Sequence, residues 1–378
     1  MRKFFAVSFF AVMLGTFVMS CGNPVDDDRK PDDSTGAVRI AVITTASDYS
    51  AAGFEIISAD DYSVTSNLIP ELGSDIQSIR AFGAGVYIVE SFGSDKIVKY
   101  DSKIGAVVYE QPVGTGLNIQ DIAVVSETKA YISALESSDL RVFNPATGTV
   151  TSTIDLSQFN TFAGTDSAEA YPFMKSLAYH NGYLYVACQR LRIVEMGGWS
   201  AMLPGDTSLI VVIDVAVDEV VGNIPLNKKN PASMSVFGNY MLVASSGSWM
   251  DIGGNDAGVE KINLAERENL GVIAEGSALG GNPDEVIFIS ANSAYVSVMG
   301  DDWTAALIPF DPSAGTIGAT INEIQDASGF AYDGVKLYVG ERGFGTAGVA
   351  IINPSTNNVE RKIDTGMPPL SLAVIFAD

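Results

Sequence analysis

From Ala37 onward the chain alternates short apolar runs with brief polar breaks. The stretch 76–111 is typical: Ile76 to Gly83, Gly85 to Ser91, Lys96 to Asp101 and Ala106 to Gln111 are each rich in β-branched and aromatic residues. Runs of this length and composition, bounded by turn residues, predict strands. The breaks between paired runs are Gly83-Ala84-Gly85, Asn181-Gly182, Gly238-Asn239, Ala291-Asn292-Ser293 and Asp333-Gly334. Those residues tolerate the positive φ that tight hairpins require. A similar run follows each kind of break, as in Val86 to Val89, Ala130 to Ala134, Tyr183 to Ala187 and Ala294 to Val298. No amphipathic period of helical length stands out in this region, so the expectation is an all-β domain.

A longer echo organises the strands. A strand ends near Ser58, Asp101, Asn144, Asp214, Asn263, Asp311 and Asn353, a short turn follows, and an apolar residue opens the next strand. The spacing between these anchors is 42 to 49 residues, with one gap of 70. That is the period of a four-stranded propeller blade, so the chain is expected to form a seven-bladed β-propeller. The N-terminal unit supplies only three strands, whereas Pro369 to Ala377 is a strand left over at the C-terminus. Pairing the two closes the first blade with the C-terminal strand and removes exposed sheet edges.

These repeats resemble the YVTN-type β-propeller family, whose blades carry a recurring strand and a hairpin of the form Asp-x-x-x-Gly-x-Val. Asp101 to Val107 and Asp311 to Ile317 are close to it, although the run Tyr-Val-Thr-Asn is absent. The resemblance implies a fold rather than an activity.

Blade topology sorts the connections into two faces. Turns joining strands one to two and three to four share one face; those joining two to three, and blade to blade, share the other. The second set holds the long connections, 44–53, 156–175, 189–207, 245–258, 299–305 and 340–348. Trp199, Trp249 and Trp303, all the tryptophans of the chain, fall there with Phe344 and Tyr49. Exposed aromatics rimmed by polar groups make good recognition surfaces, so these five are candidate ligand- or partner-binding residues. The bland alternative is that they plug their own loops.

The N-terminus changes the cellular picture. Arg2 and Lys3, the apolar run Phe4 to Val18 and the small residues before Cys21 predict a cleavable signal over 1–20. Val18-Met19-Ser20-Cys21-Gly22 resembles a bacterial lipobox, which implies lipidation of Cys21. Residues 21–36, with five aspartates and two prolines, read as a solvated acidic tether, and 37–378 as the propeller. Gly22 after the cysteine favours the outer membrane of a bacterial envelope over inner-membrane retention. The partners expected are thus the membrane through the anchor, and an envelope protein or a glycan.

Charge and cysteine content narrow the rest. Against 22 basic residues stand 45 acidic ones, a net charge of −23, which repels nucleic-acid phosphates. With Cys21 lipidated, Cys188 is left for packing rather than a disulfide. Glu90 and Glu341 end second strands, while Asn118 and Asn282 start first strands, as do Asn230 and Asp326. If these oxygens met at the channel mouth they would suit Ca²⁺, in the manner of the propeller lactonases they resemble in kind. The single histidine, His180, precedes a tight turn on the short-loop face and reads as a surface turn residue. No Ser-His-Asp, zinc or nucleotide motif stands out, so binding is expected ahead of catalysis. The leading expectation is a lipid-anchored binding or scaffolding module. A Ca²⁺-dependent hydrolase or lactonase and an envelope-assembly component remain open beside it.

Overall fold

Seven four-stranded antiparallel sheets follow one another in a ring in the computed structural model, which describes residues 37–161, 170–198 and 200–376. Blade I is closed by both ends of the domain: Pro369–Ile375 pairs with Arg39–Thr45, which pairs in turn with Ala52–Ser58 and Val64–Thr65. Blade II runs from Ile76 to Pro112, blade III from Ile119 to Asp155, and blade IV from Met174 to Pro225. Blades V, VI and VII span Pro231 to Glu275, Asn282 to Ile317 and Ala327 to Asp364. Two insertions make the long gap in the repeat: the connection from blade III to blade IV occupies 156–173, and the loop after the second strand of blade IV is enlarged. Blade IV carries an extra two-stranded hairpin, Leu191–Glu195 with Ser200–Pro204, between its second and third strands.

Burial follows position within the blade. The inner strands are buried on both faces because each blade is sandwiched between two others, as in Val86 to Val89 and Val211 to Ile213. Fourth strands such as Thr149–Asp155 lie at the rim and keep a mostly exposed pattern. The apolar core is therefore a set of layers between blades. One such layer joins Leu140 and Val142 of blade III to Val186 and Val211 of blade IV.

Two polar devices fasten the seams. Near its start, each of the seven first strands slips register against its neighbour. These bulges lie beside side chains that cross to the next blade. The Ile79 N–H donates to Ser371 Oγ (3.2 Å), Leu177 N–H to Asp121 Oδ2 (2.9 Å), Val286 N–H to Ser233 Oγ (2.9 Å) and Phe330 N–H to Glu285 Oε1 (3.0 Å). First strands have no strand partner on the channel side, so these bonds satisfy buried amides that would otherwise be orphaned. On the short-turn side, tyrosines of second strands reach the outer hairpin of the following blade. Tyr131 donates to the Asp218 carboxylate and Tyr295 to Asn357 Oδ1.

His180 departs from the expectation of a surface turn residue. It ends the first strand of blade IV with its side chain buried, and a ring nitrogen lies 2.7 Å from the Asn181 amide. The strand continues inward up to the turn, which is why the residue is covered. Cys188 is fully buried, and burial pushes its thiol up to about 12.

Candidate functional site

The connections between second and third strands present large apolar side chains to solvent on five consecutive blades, V, VI, VII, I and II. In order these are Trp249, Trp303, Phe344, Tyr49 and Phe92, with relative exposures of 36%, 51%, 104%, 46% and 75%; Met250 stands beside Trp249. Trp199, which belongs to the corresponding loop of blade IV, lies outside the described residues. Exposed apolar groups clustered on one face of a soluble domain mark an interaction surface more often than scattered ones do.

Local sequence explains how each tip is held out. In blades II and VII the turns Ser91-Phe92-Gly93-Ser94 and Gly343-Phe344-Gly345-Thr346 close by N–H to C=O bonds of 3.2 and 3.1 Å. Gly93 and Gly345 take the left-handed position (φ +98° and +78°), and the phenylalanine before each projects outward. In blades I and VI the tips are Asp48-Tyr49-Ser50 and Asp302-Trp303-Thr304. There the aromatic residue itself adopts a left-handed backbone, φ 56° and 62°. Such a conformation is uncommon for a bulky side chain and costs roughly 1–2 kcal/mol. The aspartate offsets the cost, since Asp48 Oδ1 accepts from Ser50 N and Oγ, and Asp302 Oδ1 from Thr304 N and Oγ1. Those bonds hold both carboxyls below their usual range.

The oxygen-bearing residues proposed from sequence as calcium ligands each have local partners. Glu90 Oε2 accepts from Gly73 N–H (3.1 Å) and lies 3.3 Å from Lys96 Nζ. Glu341 Oε1 accepts from Gln325 N–H (3.0 Å), and Lys362 Nζ sits 2.6 Å from its Oε2 as an ion pair rather than an aligned hydrogen bond. Asn118 accepts from Ser91 Oγ and donates to Glu136. Asn282 accepts from Gly253 N–H and donates to Ser248 C=O, bracing the loop that carries Trp249. Asn118, Asn230 and Asp326 all have positive φ, a backbone role that short polar side chains fill well. Among the described residues no group of three or more His, Cys, Asp or Glu is placed to hold a metal ion.

A second polar group was missed in the sequence. Gln77, Gln120 and Lys175 occupy matching places at the start of the first strands of blades II, III and IV, and all three are buried. Gln120 donates to Asn118 (2.8 Å), Gln77 to Asp75 (2.8 Å), and the Lys175 ammonium to Gln120 Oε1. Asp284 of blade VI feels the Lys175 charge, and its Oδ1 is sealed from solvent without a hydrogen-bond partner. Burial pushes its carboxyl up to about 7, with Lys175 opposing the rise. These groups form a polar plug at the long-loop end of the first strands. Aligning those strands on the bulge would have found it, because the polar residue precedes Ser78, Asp121, Ser176 and Glu285 by one position in each.

No protein-family model and no curated protein matches the chain. Among solved structures the fold is similar to Kuenenia stuttgartiensis hydrazine synthase, with a TM-score of 0.58 and 17% identity over 78% of this chain and 88% of that one. It is also similar to the computationally designed Ika8 protein, with a TM-score of 0.54 and 10% identity over 89% and 88% of the two chains. At these identities the likeness concerns the fold. A seven-bladed propeller of this kind fits a binding or scaffolding module.

Proposed function

We propose that the protein is a lipid-anchored envelope module that recognises a partner through its long-loop face. The observation that carries this reading is the arc of exposed aromatic tips on five consecutive blades. Leaving rings of that size in water forgoes roughly 1.5–3 kcal/mol of burial each, which a contact would recover. Two different turn chemistries hold the tips outward, so their exposure does not follow from one repeated loop sequence. Support for the anchor comes from the lipobox-like Val18 to Gly22 and the acidic tether behind it. Among the described residues no helix is long and apolar enough to cross a membrane. Attachment through acyl chains on Cys21 needs no such helix.

Replacing Trp249, Phe344 and Phe92 together with alanine tests the face. Recognition requires that binding to the cell-envelope fraction drop while the melting temperature holds; a large fall in melting with binding intact would mean that the rings plug their own loops. Cys21→Ala tests the anchor and should move the protein from the membrane to the soluble fraction without changing its melting.

A further inference from the structure

One second-strand position recurs as tyrosine around the ring. It lies opposite the residue two places before each anchor, in the pairs Tyr87 with Lys99, Tyr131 with Val142, Tyr185 with Val212, Tyr295 with Pro309 and Tyr338 with Ile351. All five tyrosines are buried, each in the apolar layer shared with the following blade. Blade I has Ala41 at this place, opposite Ile56, and blade V has Leu242, opposite Lys261. A cavity opens at the seam after each of those two blades. It measures about 180 Å³ between blades I and II and about 480 Å³ between blades V and VI.

A polar bond crosses the same seams. The carbonyl just after an anchor accepts from the preceding blade, and in two seams the donor is the recurring tyrosine: Tyr185 to Leu264 (3.5 Å) and Tyr295 to Pro354 (3.4 Å). Elsewhere a cation makes it, Arg39 to Ser102 (2.8 Å), Lys99 to Pro145 (3.0 Å), Lys129 to Val215 (2.6 Å) and Lys261 to Pro312 (3.1 Å). Lys99 and Lys261 are the closest match, since both stand two places before an anchor and both reach a proline carbonyl. The Lys99 ammonium has the Tyr87 ring 5.3 Å away. The cross-strand partner of Lys261 is a leucine, which has no ring to put there, and Lys261 lines the larger cavity.

The rest of that cavity is aromatic. Phe237 and Phe288 line it with ring centroids 5.5 Å apart, and the Tyr240 ring lies 4.6 Å from the Lys261 ammonium. Tyr240, Ala291 and Ser313 are exposed at its rim, so it opens to solvent on the short-turn face. Its volume is that of a small-molecule pocket.

We propose that the cavity between blades V and VI binds a small phenolic molecule, its ring in the place that a tyrosine ring holds in five sister blades and its hydroxyl donating to the Pro312 carbonyl. A ring beside the ammonium gains cation–π attraction, as Tyr87 does beside Lys99. The carbonyl has two lone pairs, so it accepts the hydroxyl as well as Lys261. This site lies on the face opposite the aromatic tips and stands whether or not those tips bind a partner.

The test titrates the full chain with p-cresol, which is the tyrosine side chain as a free molecule, and follows the heat. Toluene lacks the hydroxyl and 4-methylcyclohexanol lacks the aromatic ring. For so small a ligand, saturable binding with a constant on the order of a millimolar is expected, and each analogue should bind about tenfold more weakly. Leu242→Tyr should fill the cavity from within and abolish p-cresol binding. A larger side chain also strains a packed core, so Lys261→Met gives a second reading at the rim. It should weaken p-cresol severalfold and erase the preference over 4-methylcyclohexanol. Val335→Ala, an exposed apolar residue on the same face of blade VII, should change nothing. The inference is overturned by unsaturable p-cresol binding, by equal binding of the three compounds, or by a loss for Val335→Ala as large as that for Lys261→Met. Undiminished binding to a Leu242→Tyr chain that melts like the parent would overturn it too, and where that variant does not fold Lys261→Met decides.

Discussion

The Arg80 guanidinium lies 2.8 Å from the Asp121 carboxylate across the seam between blades II and III, with both side chains sealed from solvent. Asp121 does more than balance that charge. Its two oxygens also accept from Leu177 N–H of blade IV, from Ile122 N–H and from Ser78 Oγ. One carboxylate thus ties three consecutive blades at the channel wall.

Removing it should be costly. Asp121→Ala takes this carboxylate from the buried Arg80 guanidinium and from the Leu177 and Ile122 amides, a change of about 3–5 kcal/mol for the ion pair alone. Arg80→Met combined with Asp121→Ala should recover part of the loss, because no uncompensated charge then stays buried. Denaturant titration of the two variants checks the order; a double variant less stable than Asp121→Ala would contradict it.

The plug at the long-loop end makes a prediction about pH. The Asp284 carboxyl, at about 7 in the folded chain, compares with roughly 3.9 when unfolded. Between those values the unfolded chain releases the proton and the folded chain keeps it, so this residue's contribution to stability falls as pH rises from about 4 to about 7. Glu285 next to it is pushed up by burial and acts in the same direction. Asp284→Asn should match the parent near pH 4 and exceed it by about 2 kcal/mol at pH 8, less than the full shift implies because the residue is only half-buried. A difference between variant and parent that does not change with pH would mean that Asp284 ionises freely in the fold.

Much of the architecture was legible because it is local and repeated. Turn residues with positive φ, strand length and the spacing of anchors such as Asp101 and Asp311 are set by chemistry within a few positions, and the unpaired strand at Pro369 identified the closure. What escaped depends on contacts between distant residues. Glu90 and Glu341 look alike with or without a backbone amide in reach, and sequence gives no register for Gly73 or Gln325 against them. Loop length gives no sign of Phe92, whose exposure comes from a short four-residue turn of the kind that also presents Phe344. His180 looked like a turn residue because the turn beside it is plain in sequence, whereas its burial comes with its place at the end of the inner strand Met174–His180.

The central claim is that the long-loop face is the one in contact. A photoreactive amino acid placed at Phe344, at the tip of blade VII, and separately at Val335, in the first hairpin turn of the same blade on the opposite face, reads this directly in intact cells expressing the full chain. Both positions are well exposed, so both report on what touches them. Light should convert the 344 form into a discrete adduct and leave the 335 form unchanged, with the adduct weakened by Trp249→Ala. An adduct from 335 and none from 344 would place the contact on the other side of the disc and contradict the claim.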